Sequence, residues 1–593
     1  MAFLYLPIIV LVIFSFNASR LSAVWQGFSW QWYGVLWHDE ALLAAAMNSV
    51  WVAALSTSLV VLLGVPAAMG LERFRGRGRQ TLDTIFLLPL VLPEVMMGVA
   101  LLLFFVMIHW PLSLATVVVG HAAFNLPVII VMVRARLQKL DPRLEEAASD
   151  LGASPWQTFY RVTWPLVRPA VLGAALLAFT ISLDDFIVTF FVAGPGATTL
   201  PLKVYSMIKS GLSPEINALS SVLVLSSMGL VGLSLVFQRR NLVRFLGLAA
   251  ISVLLWSGCD RGRETNQQGG LSAIATLHYF TWSDYVSPEL IHEFEVAQGV
   301  RVVVDTFSSN EELLAKLQGG ASGYDVTVPS DFMVSIMAAQ GMLAELAAAA
   351  LPNVKALEPH LQHPAFDPTH RYAVPYLWGT VGIGYDSAVV TPPPDSWDIL
   401  WDRRYRGRIS MLNDQREVFG AVLRSMGQSM NTTDPTLIEA AKHKLIAQKP
   451  LVKTYASDHY DQLLASGDVV LAQGWGGPVA RAMRDRPSIR YVVPKEGGTI
   501  WADCLVVLRT SPNQALAMQF INFLIDARVA ARTSERLLFA ASNREARAWI
   551  KKDILQNPAV YPPAELIPRM EWMGDVGKAM RTYDRAWTEL KMQ

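Results

Sequence analysis

The strongest constraint on this chain lies in its middle. Residues 239–259 read RRNLVRFLGLAAISVLLWSGC. Arg239, Arg240 and Arg244 make a basic start, 245–256 is an apolar run, and Ser257, Gly258 and Cys259 close it with small residues and a cysteine. That order is the anatomy of a secretory signal, and everything before it reads as membrane sequence. A chain built this way cannot fold in one solvent, so it divides into a multispan membrane part, residues 1–240, a signal-like segment with its linker, 241–275, and an exported part, 276–593.

Composition agrees. Of 593 residues, 52% are hydrophobic and only 17% charged, and the mean hydropathy of +0.32 owes its excess to the first part. A net charge of +1 gives no reason to expect nucleic acid as a partner. Two cysteines, Cys259 and Cys504, make no disulfide framework.

Apolar segments approaching the ~20 residues that span a bilayer fall at 3–16, 43–70, 82–108, 111–133, 168–192 and 218–237. Arginine sets their orientation. Arg73, Arg75, Arg77 and Arg79 follow the second segment, and Arg134, Arg136, Lys139, Arg143, Arg161 and Arg168 follow the fourth, whereas the alternate loops hold only Arg20, Lys203 and Lys209. The positive-inside bias puts the rich loops in the cytoplasm, so both ends of the six-span domain face inward and the seventh segment carries the remainder out.

The long cytoplasmic loop reads DPRLEEAASDLG over 141–152, then Ser154-Pro155, then VTWP over 162–165. Asp141-Pro142 and Ser154-Pro155 each read as a helix start with proline in the first turn, and Gly152 ends the first helix. Ala147, Ala148 and Gly152 carry little side-chain bulk, so a second surface can come close; the plainer reading is an amphipathic loop lying on lipid headgroups. Glu146-Ala147-Ala148, three residues, Gly152, nine residues and Val-x-Trp-Pro resemble the EAA loop of ABC-importer permeases, with Trp164 where that family usually has leucine. The resemblance extends over nearly all of 3–240 to the second permease subunit of spermidine/putrescine importers. It implies that Glu146, Ala147, Ala148 and Gly152 dock an ATPase subunit.

Three carboxylates, Glu94, Asp184 and Asp185, fall in or near the spans. Acids at membrane depth are costly and face a cavity or a partner, so they are candidates for a cation pathway. The alternatives are hydration at the outer end of a span for Asp184 and Asp185, and capping of a broken helix for Glu94.

The segment ending at Cys259 resembles a lipoprotein signal, with Trp256 where that family prefers leucine. Lipidation of Cys259 and an uncut seventh span remain two outcomes; in both, the chain beyond Cys259 is held at the outer face of the inner membrane.

From Leu277 short apolar strands alternate with helices, the rhythm of α/β units around a largely parallel sheet. Ligand sites in such folds gather at strand ends and between domains. Trp282, Ser283, Asp284 and Tyr285 follow the first strand, Ser330 and Asp331 the third; Asp414 and Glu417 follow 409–412, Trp475 follows VVLAQG, and Trp501 and Asp503 sit together in GGTIWADCLVV. Rings and carboxylates are what an organic ammonium requires. Asp414-x-x-Glu417 is also a capping pattern, Asp331 can simply begin a helix, and the aromatics can be core. Asp503 is harder to assign that way, because a carboxylate in an apolar strand needs a partner.

WSDYVSPEL, YDVTVPSDFMV, SWDILWDRRYRGRISMLNDQREVFGAVL and PKEGGTIWADCLVV resemble periplasmic spermidine/putrescine-binding proteins over nearly all of 275–593. The resemblance implies a two-lobed α/β fold, ammonium-binding acids at Asp414, Glu417 and Asp503, an aromatic box of Trp282, Tyr285, Trp475 and Trp501, and a polar contact from Ser330. Phe332, Phe539 and Met573 replace hydrogen-bonding residues of the spermidine binders, while Ser283-Asp284 matches the putrescine-preferring relatives.

The expectation is therefore an importer subunit rather than an enzyme, a polytopic all-α domain fused to its polyamine-binding protein. No phosphate-cradling G-x-x-x-x-G-K-[ST] loop is visible, so the chain is expected to carry no cofactor, with ATP used by a separate, dimeric ATPase subunit. A second permease subunit, membrane lipid and the polyamine complete the partners. The alternatives are import of another organic cation or amino-acid-like solute, and a membrane-tethered polyamine sensor.

Overall fold

The computed structural model describes residues 2–19, 25–74, 76, 78–209, 214–237, 275–283, 285 and 287–593. Cys259 with its basic and apolar run, and Asp284, lie outside the described residues. Helices of the membrane part are α1 (Ala2–Phe14), α2 (Gln31–His38), α3 (Glu40–Arg73), α4 (Arg79–Val91), α5 (Glu94–Met107), α6 (Leu114–Leu137), α7 (Arg143–Asp150), α8 (Pro155–Thr158), α9 (Trp164–Asp184), α10 (Ile187–Val192), α11 (Leu200–Lys209) and α12 (Pro214–Phe237).

The chain forms two compact units. The first takes Met1–Glu40, Leu212–Ala275 and Gly299–Arg301. In it α12 packs on α1 and α2, and the Trp32 indole N–H donates to the Asn17 carbonyl at 2.7 Å.

The second unit takes Ala41–Gly211, Thr276–Gln298 and Val302–Gln593. Among the described residues, three helices are long and apolar enough to cross a membrane: α3, α6 and the composite Pro155–Asp184. That composite joins α8 to α9 through a π-helical turn at Phe159–Thr163. Val60, Ala68, Ile129, Ile130, Val133, Val171, Ala174 and Ala178 form the buried seam of α3, α6 and α9. Small residues allow close approach there: a side chain on Gly64 would meet Ile129 at 2.8 Å.

Two expected spans are broken. Residues 82–108 divide into α4 and α5, bent by 108°. Proline disfavours helical geometry in the residue before it, and Leu92, preceding Pro93, is extended. Residues 168–192 divide at Asp185, whose ψ of 120° ends α9 before α10 begins.

The exported part holds β1 (Thr276–Trp282), β2 (Arg301–Phe307), β3 (Val326–Thr327), β4 (Ala373–Asp386), β5 (Ile409–Met411), β6 (Val452–Tyr455), β7 (Leu471–Trp475), β8 (Ile489–Val492), β9 (Thr499–Val507), β10 (Ala540–Ala541) and β11 (Glu571–Trp572). Helices α13 (Pro288–Gln298), α14 (Asn310–Gln318), α15 (Asp331–Ala339) and α16 (Gln415–Ser425) follow β1, β2, β3 and β5. The main strand order is β2-β1-β3-β9-β4-β7-β5-β6.

The sheet is mixed rather than largely parallel. β1–β3, β5–β6 and β5–β7 are parallel, but β4 runs antiparallel to β9, β7 and β8. All 14 residues of β4 are buried. Its Ala373–Thr380 stretch pairs with β9 and its Val381–Tyr385 stretch with β7, so one strand joins two strand groups and carries the chain from one lobe to the other.

Candidate functional site

The strand ends converge on a cluster of carboxyls and rings. Asp503 sits near the middle of β9, where Ser330 bridges to it in antiparallel fashion. The Ser330 hydroxyl donates to Asp503 Oδ1 at 2.6 Å, and the Tyr285 hydroxyl donates to Oδ2. Ser330 is itself fixed by Asn310, whose Oδ1 accepts from the Ser330 N–H at 3.0 Å. Burial pushes the Asp503 pKa up to about 6, against the lowering effect of these two donors.

Asp331 opens α15 and is buried. Its Oδ1 accepts from the Phe332 N–H at 2.7 Å, while Oδ2 has no hydrogen-bond partner among the described residues. Burial pushes its pKa up to about 8.

Asp414 and Glu417 open α16. Asp414 caps the helix by accepting from the Glu417 N–H at 3.1 Å, so the capping pattern is realised. Glu417 is buried, and its Oε2 accepts from the Thr499 hydroxyl at 2.6 Å. Burial first, and the Asp414 charge second, push the Glu417 pKa up to about 8; Asp414 is also raised, chiefly by burial. The neighbouring Arg416 guanidinium donates elsewhere, to the Gly574 carbonyl at 3.0 Å and to Asn431 Oδ1 at 2.9 Å. Among the described residues no basic side chain forms an ion pair with Asp331, Asp414, Glu417 or Asp503.

Tyr285, which holds Asp503, belongs to a run of ring contacts. Trp501 meets Phe539 edge-on at 5.1 Å, and Tyr285 lies 6.2 Å from Phe539. Trp282 is tilted against Tyr285 at 6.3 Å, and its indole N–H donates to the Val328 carbonyl at 2.8 Å. The Trp501 Nε1 is buried without an acceptor among the described residues. Gly379 of β4 leaves room for that indole, since a side chain there would meet it at 2.7 Å. Trp475 ends β7, 6.2 Å from Tyr460.

The hydrogen bonds and ring contacts join Ser330, Tyr285 and Asp503 in one group and Asp414 and Glu417 in another. Ser283 is turned elsewhere: its hydroxyl meets that of Ser206 in α11. Asn310 and Thr499, which hold Ser330 and Glu417, are not evident from the sequence. Asn310 begins a helix and Thr499 begins a strand, and neither position marks a side chain as a partner of a distant acid.

In the membrane part, Glu94 is exposed at the start of α5, beside the bend. Asp184 is exposed, whereas Asp185 turns inward to accept from the Thr189 N–H and hydroxyl, each at 2.8 Å. In the loop, Gly152 has φ of 81° and ends α7, and Ser154 with Gln157 forms a capping box on α8. Glu145 is fastened by Arg73 at 2.8 Å and by the Thr163 hydroxyl at 2.5 Å. Glu146 and Ala147 remain exposed, together with Leu151, Trp156 and Tyr160.

Two families match separate parts of the chain: binding-protein-dependent transport system inner membrane component over residues 60–246, and bacterial extracellular solute-binding protein over 289–561. The Escherichia coli spermidine/putrescine-binding periplasmic protein is 36% identical over 318 residues, 53% of this chain and 91% of that protein. The putrescine transport system permease protein PotI of Escherichia coli is 44% identical over 237 residues, 39% of this chain and 84% of that protein. Among solved structures, the spermidine/putrescine substrate-binding protein PotD of Streptococcus pneumoniae superposes with a TM-score of 0.51 at 29% identity, covering 54% of this chain and 99% of its own. Both families are transporter components rather than enzymes. The chain belongs to the spermidine/putrescine importer family and joins that family's inner membrane component and its solute-binding component in one polypeptide.

Proposed function

We propose that this chain takes up a polyamine, serving as both a permease subunit and the substrate-binding protein of an ATP-driven importer. One observation carries the reading: among the described residues Asp331, Asp414, Glu417 and Asp503 have pKa values raised by burial and form no ion pair, and Asp503 is held by Tyr285, whose ring lies against Phe539 and, through it, Trp501. A buried carboxylate without a countercharge is costly, and a dicationic amine supplies the charge the site lacks. Ring faces cover its methylenes and attract its ammonium groups, ~0.5–2 kcal/mol each.

The binding part works at the outer face of the inner membrane, and the loop bearing Glu146, Ala147, Ala148 and Gly152 works on the cytoplasmic side. Its exposed Leu151, Trp156 and Tyr160 suit a partner of mixed apolar character, which in this reading is a separate ATPase subunit. A second permease subunit completes the channel. Polyamine closes the two lobes that β4 joins, and Glu94 and Asp184 are candidates for the cation's path.

The test is calorimetric titration of the purified full chain with putrescine and with spermidine. Micromolar or tighter binding of either, weakened in Asp503→Asn, supports the reading; no heat with either amine overturns it.

A further inference from the structure

Helix α10 is six residues long, yet it is held from two directions. At its N-terminus, the Asp185 carboxylate receives the two Thr189 hydrogen bonds, and His121 of α6 brings Nε2 to 3.1 Å from the same oxygen. His121 Nδ1 lies 2.6 Å from the Ser182 hydroxyl of α9, which lies 3.1 Å from that of Ser56 in α3. This buried polar set ties α3, α6, α9 and α10 together. The apolar flank of α10 seats closely as well: Val188 and Val192 lie against Gly120, and Phe191 against Gly98.

The second hold comes from the binding part. Asp305 of β2 accepts from the Gly196 N–H at 2.8 Å and from the Thr198 hydroxyl at 2.7 Å, both in the segment following α10. The Thr306 hydroxyl donates to Ser206 of α11 at 3.1 Å. Lys316, in the last turn of α14, is 5% exposed. Its ammonium lies 5.6 Å from the Phe190 ring of α10, 5.3 Å from Phe280 and 5.7 Å from Tyr324. Burial lowers its pKa, opposed by the charges of Asp305 and Glu312. A lysine is rarely buried unless something recovers the lost hydration; here the Phe190 ring is part of that compensation. Gly320 permits the close fit, because a side chain there would meet Val106 of α5 at 2.6 Å.

We propose that α10 is the coupling element between the binding part and the permease helices: Lys316 grips it at Phe190, and His121 with Asp185 fixes its N-terminus. This rests on the transport reading. A six-residue helix moves as one body, so loosening either hold loosens the other, and linkage makes the effect reciprocal. The docked binding part thereby bears directly on the buried polar set that joins four permease helices.

The test needs no ligand. Ser206→Cys with Thr306→Cys places two thiols where hydroxyls now lie 3.1 Å apart, and oxidation of the full chain in membrane vesicles reads how often the junction is closed. An intrachain disulfide is expected, seen as a monomer-sized band whose mobility reverts with reductant. Lys316→Met should lower its yield at least fivefold. Thr189→Val removes the hydroxyl shared by His121 and Asp185, and should lower the yield at least twofold. The double variant should fall by less than the product of the two. Unchanged yield in Thr189→Val, a double variant equal to the product, or disulfides only between chains would overturn the proposal. Putrescine titration of the same chain decides the polyamine reading separately, since failure there leaves the disulfide yields as they are.

Discussion

The Ser330 hydroxyl donates to Asp503 Oδ1 at 2.6 Å although 173 residues separate the two in sequence. Tyr285 takes the other carboxylate oxygen, so Asp503 is oriented from two strand ends before any amine arrives. A preoriented carboxylate loses less freedom on binding an ammonium than a mobile one.

Replacing Asp503 by asparagine keeps the shape and removes the charge. Hydrogen bonds to charged groups contribute about 1.5–3 kcal/mol, so putrescine affinity should fall ~10- to 100-fold in calorimetry. A change under twofold would show that the amine sits elsewhere.

The acid pKa values make a pH prediction. Glu417 and Asp331 titrate near 8 in the fold, and Asp503 near 6, because burial disfavours their charged forms. The unfolded chain titrates them near 4, so between about pH 4 and 8 the native state holds more protons. Their contribution to stability is complete below pH 4 and is lost as pH rises towards 8. The ligand-free binding part should therefore lose thermal stability between pH 5 and 8. An ammonium pairs with the ionised form, so binding expels protons and the stabilisation by putrescine should grow over the same window. Thermal melts of the full chain with and without putrescine at pH 5, 6.5 and 8 read both trends; stabilisation by putrescine that stays flat with pH would contradict ionised acids as its partners.

Trp501→Leu removes a ring face while keeping an apolar side chain. The loss should be about 0.5–2 kcal/mol, a ~2- to 30-fold weaker Kd for putrescine, with the far-ultraviolet dichroism unchanged. An unaltered Kd would make Trp501 a packing residue for Phe539.

Two loop variants separate fastening from docking. Glu146 is exposed while Glu145 is tied to Arg73 and Thr163, so Glu146→Ala should abolish uptake and leave polyamine binding as it is. Gly152→Val forces a β-branched residue into a left-handed conformation, at a cost of roughly 1–2 kcal/mol, and should do the same. Normal uptake in both would remove the loop's docking role.

Much of the architecture was legible along the chain because its signals are local. The Gly152 stop and the Ser154 cap depend on neighbours within a few residues. The acids and rings were legible as well, at strand ends and in a capping pattern. The bend at Leu92–Pro93 was legible only as one alternative, Glu94 capping a broken helix, and the break at Asp185 was not, because Asp184 and Asp185 read equally as the hydrated outer end of a span.

The residues themselves marked out the acids and rings proposed to hold an ammonium, and showed that two solvent classes meet in one chain. Only the tertiary structure decided which of them act together: Asn310 on Ser330, Thr499 on Glu417, Ser283 turned to Ser206, and Asp185 drawn to His121 and Thr189. Apart from the local Thr189 cap, these pairings join positions far apart in sequence. Whether a carboxylate is free for ligand or already committed depends on which donors the fold brings within ~3 Å, and no periodicity along a chain encodes that.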